Sequence, residues 1–383
     1  MNEPQSPRLR PPAEPAAAAT PPELDALRRR IDAVDHQLLA ALNERARLVG
    51  EVGALKRRLG LPVFHAGRER DLLERLARDN AGPFPSAAVP RVFGEIISAT
   101  RALEGRVRVA FLGPEGTFSH VAARQQFGSQ SDLSPVATIG DVFTDVERGR
   151  ADLGVVPVEN TTEGVVTQTL DAFAESSLTI CGEVLLRISH HLLSRTGRRE
   201  NVKRVASIPQ ALAQCRLWLE RNLPGTERVE TASTAAAARC AAEDPTVAAI
   251  GSQLAAETWG LVVLESSIED RPDNTTRFLV IGREAPGPTG RDLTSVVFTV
   301  RKDESGTLHR LLQPFAEHGV NLTSIQSRPL KGKPWEYLFF LDLEGHRSEP
   351  AVARALEAAA KSAHSTQILG SFPRAAAPGV GGA

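Results

Sequence analysis

Neither sign of charge predominates in this 383-residue chain: 45 Lys and Arg stand against 46 Asp and Glu, so the basic excess that nucleic-acid binding brings is missing. Any anion-binding groups must be local. Apolar runs such as Val296–Val300 and Leu338–Leu341 fall far short of the ~20 residues of a membrane-spanning helix, and no membrane partner is expected. No basic, apolar, small-residue succession opens the sequence either. Residues 1–21 read as a Pro- and Ala-rich flexible tail, which points to a cytoplasmic protein. Cysteine is scarce: Cys181, Cys215 and Cys240 have neither the paired spacing of a zinc site nor the number of a disulfide framework, and read as reduced core residues. Histidines are scattered, and the neighbours His190 and His191 would face opposite sides of a strand. No metal and no cofactor is expected.

What is present divides into three periodicities, as a chain too long for one ordinary core should. From Leu24 to Leu59 apolar residues step by threes and fours, predicting one long helix that Gly60, Leu61 and Pro62 end. Shorter helices are predicted over Arg68–Arg78 and Ser86–Leu103, with Ser86 as a cap. Residues 22–104 thus form an all-α domain too elongated to bury a core by itself, and dimerisation is the natural remedy. Residues 106–283 alternate short β-branched strands (Val107–Leu112, Leu153–Val158, Val205–Ser207, Val247–Ile250) with turns and helices, which predicts a doubly wound parallel α/β sheet and resembles the lobes of periplasmic binding proteins. After a Pro- and Gly-rich linker, residues 292–373 read βαββαβ, a ferredoxin-like α+β unit.

In the helical region a heptad frame starting at Leu24 places Arg45 on the apolar seam, with Arg28 and Lys56 flanking it. Arg45 either snorkels out to a neighbour such as Glu44 or meets an anion in a desolvated pocket. Arg28 and Lys56 lie about 42 Å apart along one helix, so one chain cannot close a pocket around a small metabolite. An antiparallel pair of such helices would build two equivalent sites from both chains. These residues resemble the all-helical class of chorismate mutase. The resemblance implies that Arg28 of the partner chain and Arg45 bind the carboxylates of chorismate and that Lys56 faces its ether oxygen. Arg68 and Glu69, in Gly67-Arg68-Glu69-Arg70-Asp71, match the second-helix motif, with Glu69 on the ring hydroxyl; Thr100 and Glu104 complete the set. Glu104 replaces a Gln of some members and donates a hydrogen bond only if protonated, while His65 stands where Asp is common. The rearrangement to prephenate is intramolecular and needs only conformational restraint and charge stabilisation.

In the α/β region Gly113–Ser119 joins a strand to a helix, either as an anion site built on backbone N–H groups, Thr117 and Ser119, or as structural punctuation. Pro157–Gly164, with Asn160, is read as a second strand-to-helix turn. The third element, Asp273–Phe278, runs from polar to apolar as it enters a strand. Together with Ser207–Cys215, in this order, these segments resemble prephenate dehydratases, whose hallmark is a Thr-Arg-Phe triplet, here Thr276, Arg277 and Phe278. The resemblance implies that Thr276 is the main catalytic residue, that Arg277 beside it anchors anionic substrate, and that Thr117, Ser119, Asn160 and Phe278 bind. Ile208 stands where the family has His.

The βαββαβ unit resembles an ACT domain, which binds amino acids between paired copies. Gly306-Thr307-Leu308 and Gln326-Ser327-Arg328-Pro329 match its two ligand segments, with Gln326 replacing Glu. Gly306, Leu308, Gln326, Ser327 and Arg328 would then form a regulatory phenylalanine site. The expectation is a bifunctional enzyme taking chorismate through prephenate to phenylpyruvate, inhibited by phenylalanine and assembled as a homodimer or larger homo-oligomer. A non-catalytic amino-acid sensor and an arogenate-preferring dehydratase are the alternatives.

Overall fold

The computed structural model describes residues 21–59, 66–301, 305–330 and 336–375. The expectations for the tail before residue 21, for Gly60, Leu61 and Pro62 as a helix stop and for His65 lie outside these residues.

Three helices open the described chain: α1 (Pro22–Leu59), α2 (Ala66–Asp79) and α3 (Val89–Glu104). Pro90 lies in the first turn of α3, where its missing N–H costs nothing. Ser86 does not cap this helix: it begins a short 3-10 turn, and its Oγ accepts from Asn80 Nδ2 at 3.0 Å. Helix α1 crosses α3 closely at Gly53, where a Cβ would lie 2.8 Å from Glu104 Cγ. Gly53 is the one buried residue of α1. Eleven large apolar side chains between Leu24 and Leu59 remain 37–59% exposed, so the other described residues leave most of this helix's apolar face uncovered.

The central region comprises β1 (Arg108–Leu112), α4 (Phe118–Phe127), β2 (Asp132–Val136), α5 (Ile139–Glu147), β3 (Leu153–Asn160), β4 (Gly164–Val165), α6 (Thr167–Glu175) and β5 (Thr179–Arg187). A second lobe follows with β6 (His191–Ser194), β7 (Arg204–Ser207), α7 (Pro209–Gln214), α8 (Arg216–Asn222), β8 (Glu227–Glu230), α9 (Thr234–Glu243), β9 (Val247–Gly251), α10 (Gln253–Trp259) and β10 (Val262–Glu265). The chain then returns to the first lobe as β11 (Thr275–Gly282).

Two mixed sheets replace the single parallel sheet expected. The first follows the path β2-β1-β3-β11-β5 with β4 on β3, and the second β10-β6-β9-β7-β8. Their β-α-β parts are parallel as the alternation predicts. In the first sheet β11 comes back from the second lobe and inserts antiparallel between β3 and β5, and in the second sheet β6 runs antiparallel to both β9 and β10. The two crossings between lobes are tied together: Ile188 N donates to Asn274 O and Ile268 N to His190 O, both at 2.8 Å. Cys181 and Cys215 are buried in the two lobes as expected, whereas Cys240 is half-buried.

The third region has β12 (Asp292–Arg301), α11 (Thr307–Glu317), β13 (Leu322–Pro329), β14 (Glu336–Glu344), α12 (Pro350–Ala360) and β15 (Ser365–Pro373), with antiparallel order β13-β14-β12-β15. One face of this sheet holds its own helices through Val296, Phe298, Leu311, Phe315 and Leu341. The other face, with Leu293, Val297, Leu338, Phe340, Leu369 and Phe372, joins the first-lobe cluster that contains Ile139, Phe173, Leu279 and Ile281. At ~2 kcal/mol per large side chain removed from water, this contact is worth on the order of 10 kcal/mol as an upper bound. The sheet is thus a fixed neighbour of β11.

Candidate functional sites

The helical region holds a cavity of about 140 Å³ that collects Arg45 and Lys56 from α1, Arg68 and Glu69 from α2, and Thr100 and Glu104 from α3. Six of the seven residues expected there from widely separated positions therefore line one space. Arg45 Nη1 donates to Thr100 Oγ1. Lys56 Nζ lies 3.2 Å from Glu104 Oε2, with the two side chains 16% and 8% exposed. Burial lowers the pKa of Arg45, against the pull of Glu69 and Glu104. Burial likewise raises the pKa of Glu69, opposed first by Arg101 and then by Lys56.

Arg28 is not in this cavity. It is exposed, 3.8 Å from Asp25, and about 25 Å along the helix axis from Arg45, as the rise of an α-helix requires. The sequence reading overlooked Arg101, which is 5% exposed and grips both oxygens of Glu69 through Nη1, at 2.7 and 2.9 Å. Its signal was present: an arginine between Thr100 and Glu104 on a helix whose neighbours Ile97 and Ser98 turn inward.

A second polar cluster spans the junction of the two central lobes. Asn160 Nδ2, at the end of β3, donates to Thr276 Oγ1 at 2.7 Å and to Asn274 Oδ1 at 2.8 Å. Asn274 Nδ2 donates to Gln214 Oε1 at 3.0 Å, and the same oxygen lies 2.9 Å from His190 Nε2. Gln214 Nε2 in turn donates to Glu163 Oε1 at 3.2 Å. The second lobe contributes Gln214, the first contributes Asn160 and Glu163, and the crossings contribute His190 and Asn274. Gln214, Asn274 and His190 were not among the site residues expected, although Gln214 and Asn274 lie in the segments that carry the resemblance. A polar residue at a strand end has no periodic mark, and only the return of β11 beside β3 brings them together.

The turn bearing Asn160 differs from expectation. Instead of leading into a helix it forms a hairpin from β3 to β4, and Asn160 Oδ1 accepts from Thr162 N at 2.8 Å and Glu163 N at 3.0 Å. That bonding fixes the side chain with its amide N–H groups toward Thr276 and Asn274. At the first turn Thr117 caps α4, accepting from His120 N, and its hydroxyl is shared with Leu112 O and Pro114 O. Ser119 is buried in the first turn of the same helix. Both stand at the N-terminal end of α4, but neither is hydrogen-bonded to the Thr276 cluster. Ile208, at the N-cap position of α7, packs against the cluster of Leu192, Val205 and Ala211.

Two residues of the triplet are not where a substrate anchor should be. Arg277 follows Thr276 on a strand and so points to the opposite face. Its Nε lies 2.8 Å from Glu183 Oε2 and its Nη1 2.5 Å from Asp342 Oδ2, on β14 of the third region. Two carboxylates thus neutralise it away from Thr276. Phe278 is 2% exposed, packed in the core with Val109, Phe111 and Val155, and has no surface for substrate.

The regulatory residues expected in the third region also divide by strand alternation. Gln326 faces the central lobe, lining a small cavity with Arg277 and Asp342, and Arg328 Nη2 lies 2.8 Å from Asp171 Oδ1. Ser327 points to the other face and is exposed. Gly306 precedes α11 in the left-handed region at φ 80°, and Leu308 in its first turn is 39% exposed. The five are therefore not lining one pocket within a single chain. Among the described residues no group of three or more His, Cys, Asp or Glu is arranged to hold a metal ion.

Family models match along the whole arrangement: chorismate mutase type II over residues 27–105, prephenate dehydratase over 109–286 and the ACT domain over 294–361. A bifunctional chorismate mutase/prephenate dehydratase of Aquifex aeolicus is 48% identical over 92% of this chain and 98% of that protein. The enzyme of the same name from Pseudomonas aeruginosa is 45% identical over the same shares. Among solved structures, prephenate dehydratase from Arthrobacter aurescens in complex with L-Phe is 40% identical, covering 70% of this chain and 90% of that one, with a TM-score of 0.65. A chain described as a novel type of quorum-quenching acylase also has a TM-score of 0.65, at 33% identity over 70% of this chain and 98% of that one. With three domain models in order and relatives matched over nearly their full length, the chain belongs to the bifunctional chorismate mutase/prephenate dehydratase family.

Proposed function

We propose that this chain converts chorismate to prephenate in the helical cavity and prephenate to phenylpyruvate at the Thr276 cluster, under inhibition by phenylalanine at the ACT domain. The observation that carries the first activity is the meeting of Arg45, Lys56, Arg68, Glu69, Thr100 and Glu104 in one cavity. Arg45 takes a carboxylate, Lys56 the ether oxygen, and Glu69 the ring hydroxyl. Such contacts hold the flexible ether in its reactive fold and stabilise charge on the breaking C–O bond. Arg28 reaches a cavity only from a second chain. The exposed apolar face of α1 supports a homodimer built on that helix.

For the second activity the supporting geometry is the bond from Asn160 Nδ2 into Thr276 Oγ1. An oxygen that accepts there turns its own proton away from Asn160, toward a departing ring hydroxyl, while loss of CO2 from the ring carboxylate completes aromatisation. Thr276, at 9% exposure, is dry enough for an oriented hydroxyl to matter. Arg277 is not part of this step. Its place in the reading is the link between β11 and the ACT sheet. The substrates are soluble metabolites, which suits a cytoplasmic setting; no described helix is long and apolar enough to cross a membrane. Supplying chorismate alone and following prephenate and phenylpyruvate tests the reading. Both should appear in succession, and phenylalanine should suppress the second.

A further inference from the structure

We propose that Arg101 is a positioning residue of the mutase site, holding Glu69 in place from an anchor on the dehydratase domain. The inference rests on the reading of the helical cavity given above. Arg101 projects from α3 with its two terminal nitrogens divided between domains. Nη1 takes both carboxylate oxygens of Glu69, and Nη2 donates to the carbonyl of Phe127, with Ser131 Oγ a further 3.4 Å contact. Phe127 ends α4, where the negative end of the helix dipole favours a cation, and its carbonyl also accepts from Ser131 Oγ at 2.8 Å.

The junction around that anchor is tight. Ser98, one turn before Arg101, donates to the same Phe127 carbonyl at 3.1 Å and accepts from Gln130 N at 3.2 Å. Gly128 lies so close that a Cβ there would be 2.3 Å from Ser98 Cβ. Only Gly105, Arg106 and Val107 separate α3 from β1. The guanidinium is thus fixed at its dehydratase end, and a planar fork fixed at one end dictates the rotamer of the carboxylate at the other.

Glu69 needs such help. It lies on α2, apart from the helices that carry Arg45, Lys56, Thr100 and Glu104, and burial works against its charged form. The charged groups facing it are Arg101 and Glu104 on α3 and Arg45 and Lys56 on α1, with Arg68 beside it in the cavity wall. Without Arg101 the carboxylate would rotate and would accept a proton at higher pH, ceasing to be an acceptor for the ring hydroxyl.

The test is a double-mutant cycle in the full chain, combining Arg101→Gln with Glu69→Gln, with Arg101→Lys as the conservative variant. Arg101→Gln should lower kcat/KM for chorismate roughly 10- to 100-fold, as small misplacements of a binding group do, and should move the acid limb of the mutase profile to higher pH. Dehydration of supplied prephenate should persist, reporting a folded chain. Arg101→Lys should recover part of the rate, and in the Glu69→Gln background Arg101→Gln should have little further effect. Should Arg101→Gln fail to fold, the same cycle with Arg101→Lys decides. Unchanged mutase kinetics in the Arg101 variant, or effects that simply multiply with those of Glu69→Gln, would overturn the inference while leaving the mutase reading intact. Wild-type kinetics for Glu69→Gln would overturn both.

Discussion

Arg277 and Asp342 meet across a domain boundary, with Nη1 of the arginine 2.5 Å from Oδ2 of the aspartate. Arg277 is the strand neighbour of Thr276, so the strand carrying the proposed dehydratase hydroxyl is gripped from its back by the ACT sheet. Asp342 pairs in register with Ser324, and Gln326 lies further along the same β13 face, while Ser327 shows the opposite face of that strand. A ligand that shifts β13 would therefore move groups packed around Arg277. Asp342→Asn should raise the phenylalanine concentration needed for inhibition roughly 5-fold or more, the lower end of typical coupling, while leaving the mutase rate unchanged. It should also cost about 3 kcal/mol in denaturant unfolding, because a buried charge loses a partner. Equal sensitivity to phenylalanine in variant and wild type would show that this pair does not transmit the signal.

Arg45→Ala should reduce the mutase rate at least ~100-fold and spare dehydration of supplied prephenate, since the substrate would lose a desolvated ion pair. Arg28→Ala should do the same if Arg28 serves the partner's cavity. Each variant alone would be inactive, yet co-refolded mixtures should regain activity, because a mixed dimer has one site with both arginines intact. Recovery no greater than the sum of the separate variants would place Arg28 outside the site.

Gly306 occupies a left-handed conformation at φ 80° ahead of α11, a geometry that a β-branched residue resists. Gly306→Val should abolish inhibition by phenylalanine with the uninhibited dehydratase rate kept near wild type. Retained inhibition, with isothermal titration still detecting phenylalanine, would move the effector site elsewhere.

His190 is buried, and that burial depresses its pKa despite the hydrogen bond to Gln214 and the charge of Glu269. The folded protein thus holds it neutral where the unfolded chain, with a pKa near 6.5, begins to take a proton. Its contribution to stability is present above about pH 6.5 and is lost as pH falls below it. Denaturant midpoints from pH 8 to 5 should fall less steeply for His190→Asn than for wild type. Parallel curves would mean that the imidazole titrates alike in both states.

Much of this architecture was legible. The step of threes and fours from Leu24 to Leu59 announced α1, and Arg45 announced itself by standing on an apolar seam. The uncovered face of that helix is what such a pattern produces in one chain. The turn chemistry was read less well: Pro157–Gly164 looks like a strand running into a helix until β4 pairs back on β3, a long-range choice that no local signal marks. The triplet misled for a simpler reason. Adjacent residues on a strand face apart, so Thr276 and Arg277 could not both serve one substrate, and the pairing of β11 between β3 and β5 decided which one faces Asn160. Arg101 carried a local signal, its place between Thr100 and Glu104 on α3, but its anchor on Phe127 lies in the next domain and the partners of Gln214 lie across the lobes, beyond any window of local sequence.

The central claim is that one chain carries two separable chemistries, with dehydration at Thr276. Its most direct test follows chorismate, prephenate and phenylpyruvate together in a single time course for wild type and Thr276→Ala, with matched thermal unfolding curves. Thr276 stands near the start of β11, and Asn160 Nδ2 keeps its bond to Asn274 Oδ1 when the hydroxyl is removed, so the cost is about 1–3 kcal/mol and the variant should remain folded. It should consume chorismate at the wild-type rate and accumulate prephenate, with phenylpyruvate formation reduced by about 100-fold or more, the scale of a lost acid or oriented donor. Phenylpyruvate formed by Thr276→Ala at the wild-type rate would contradict the account.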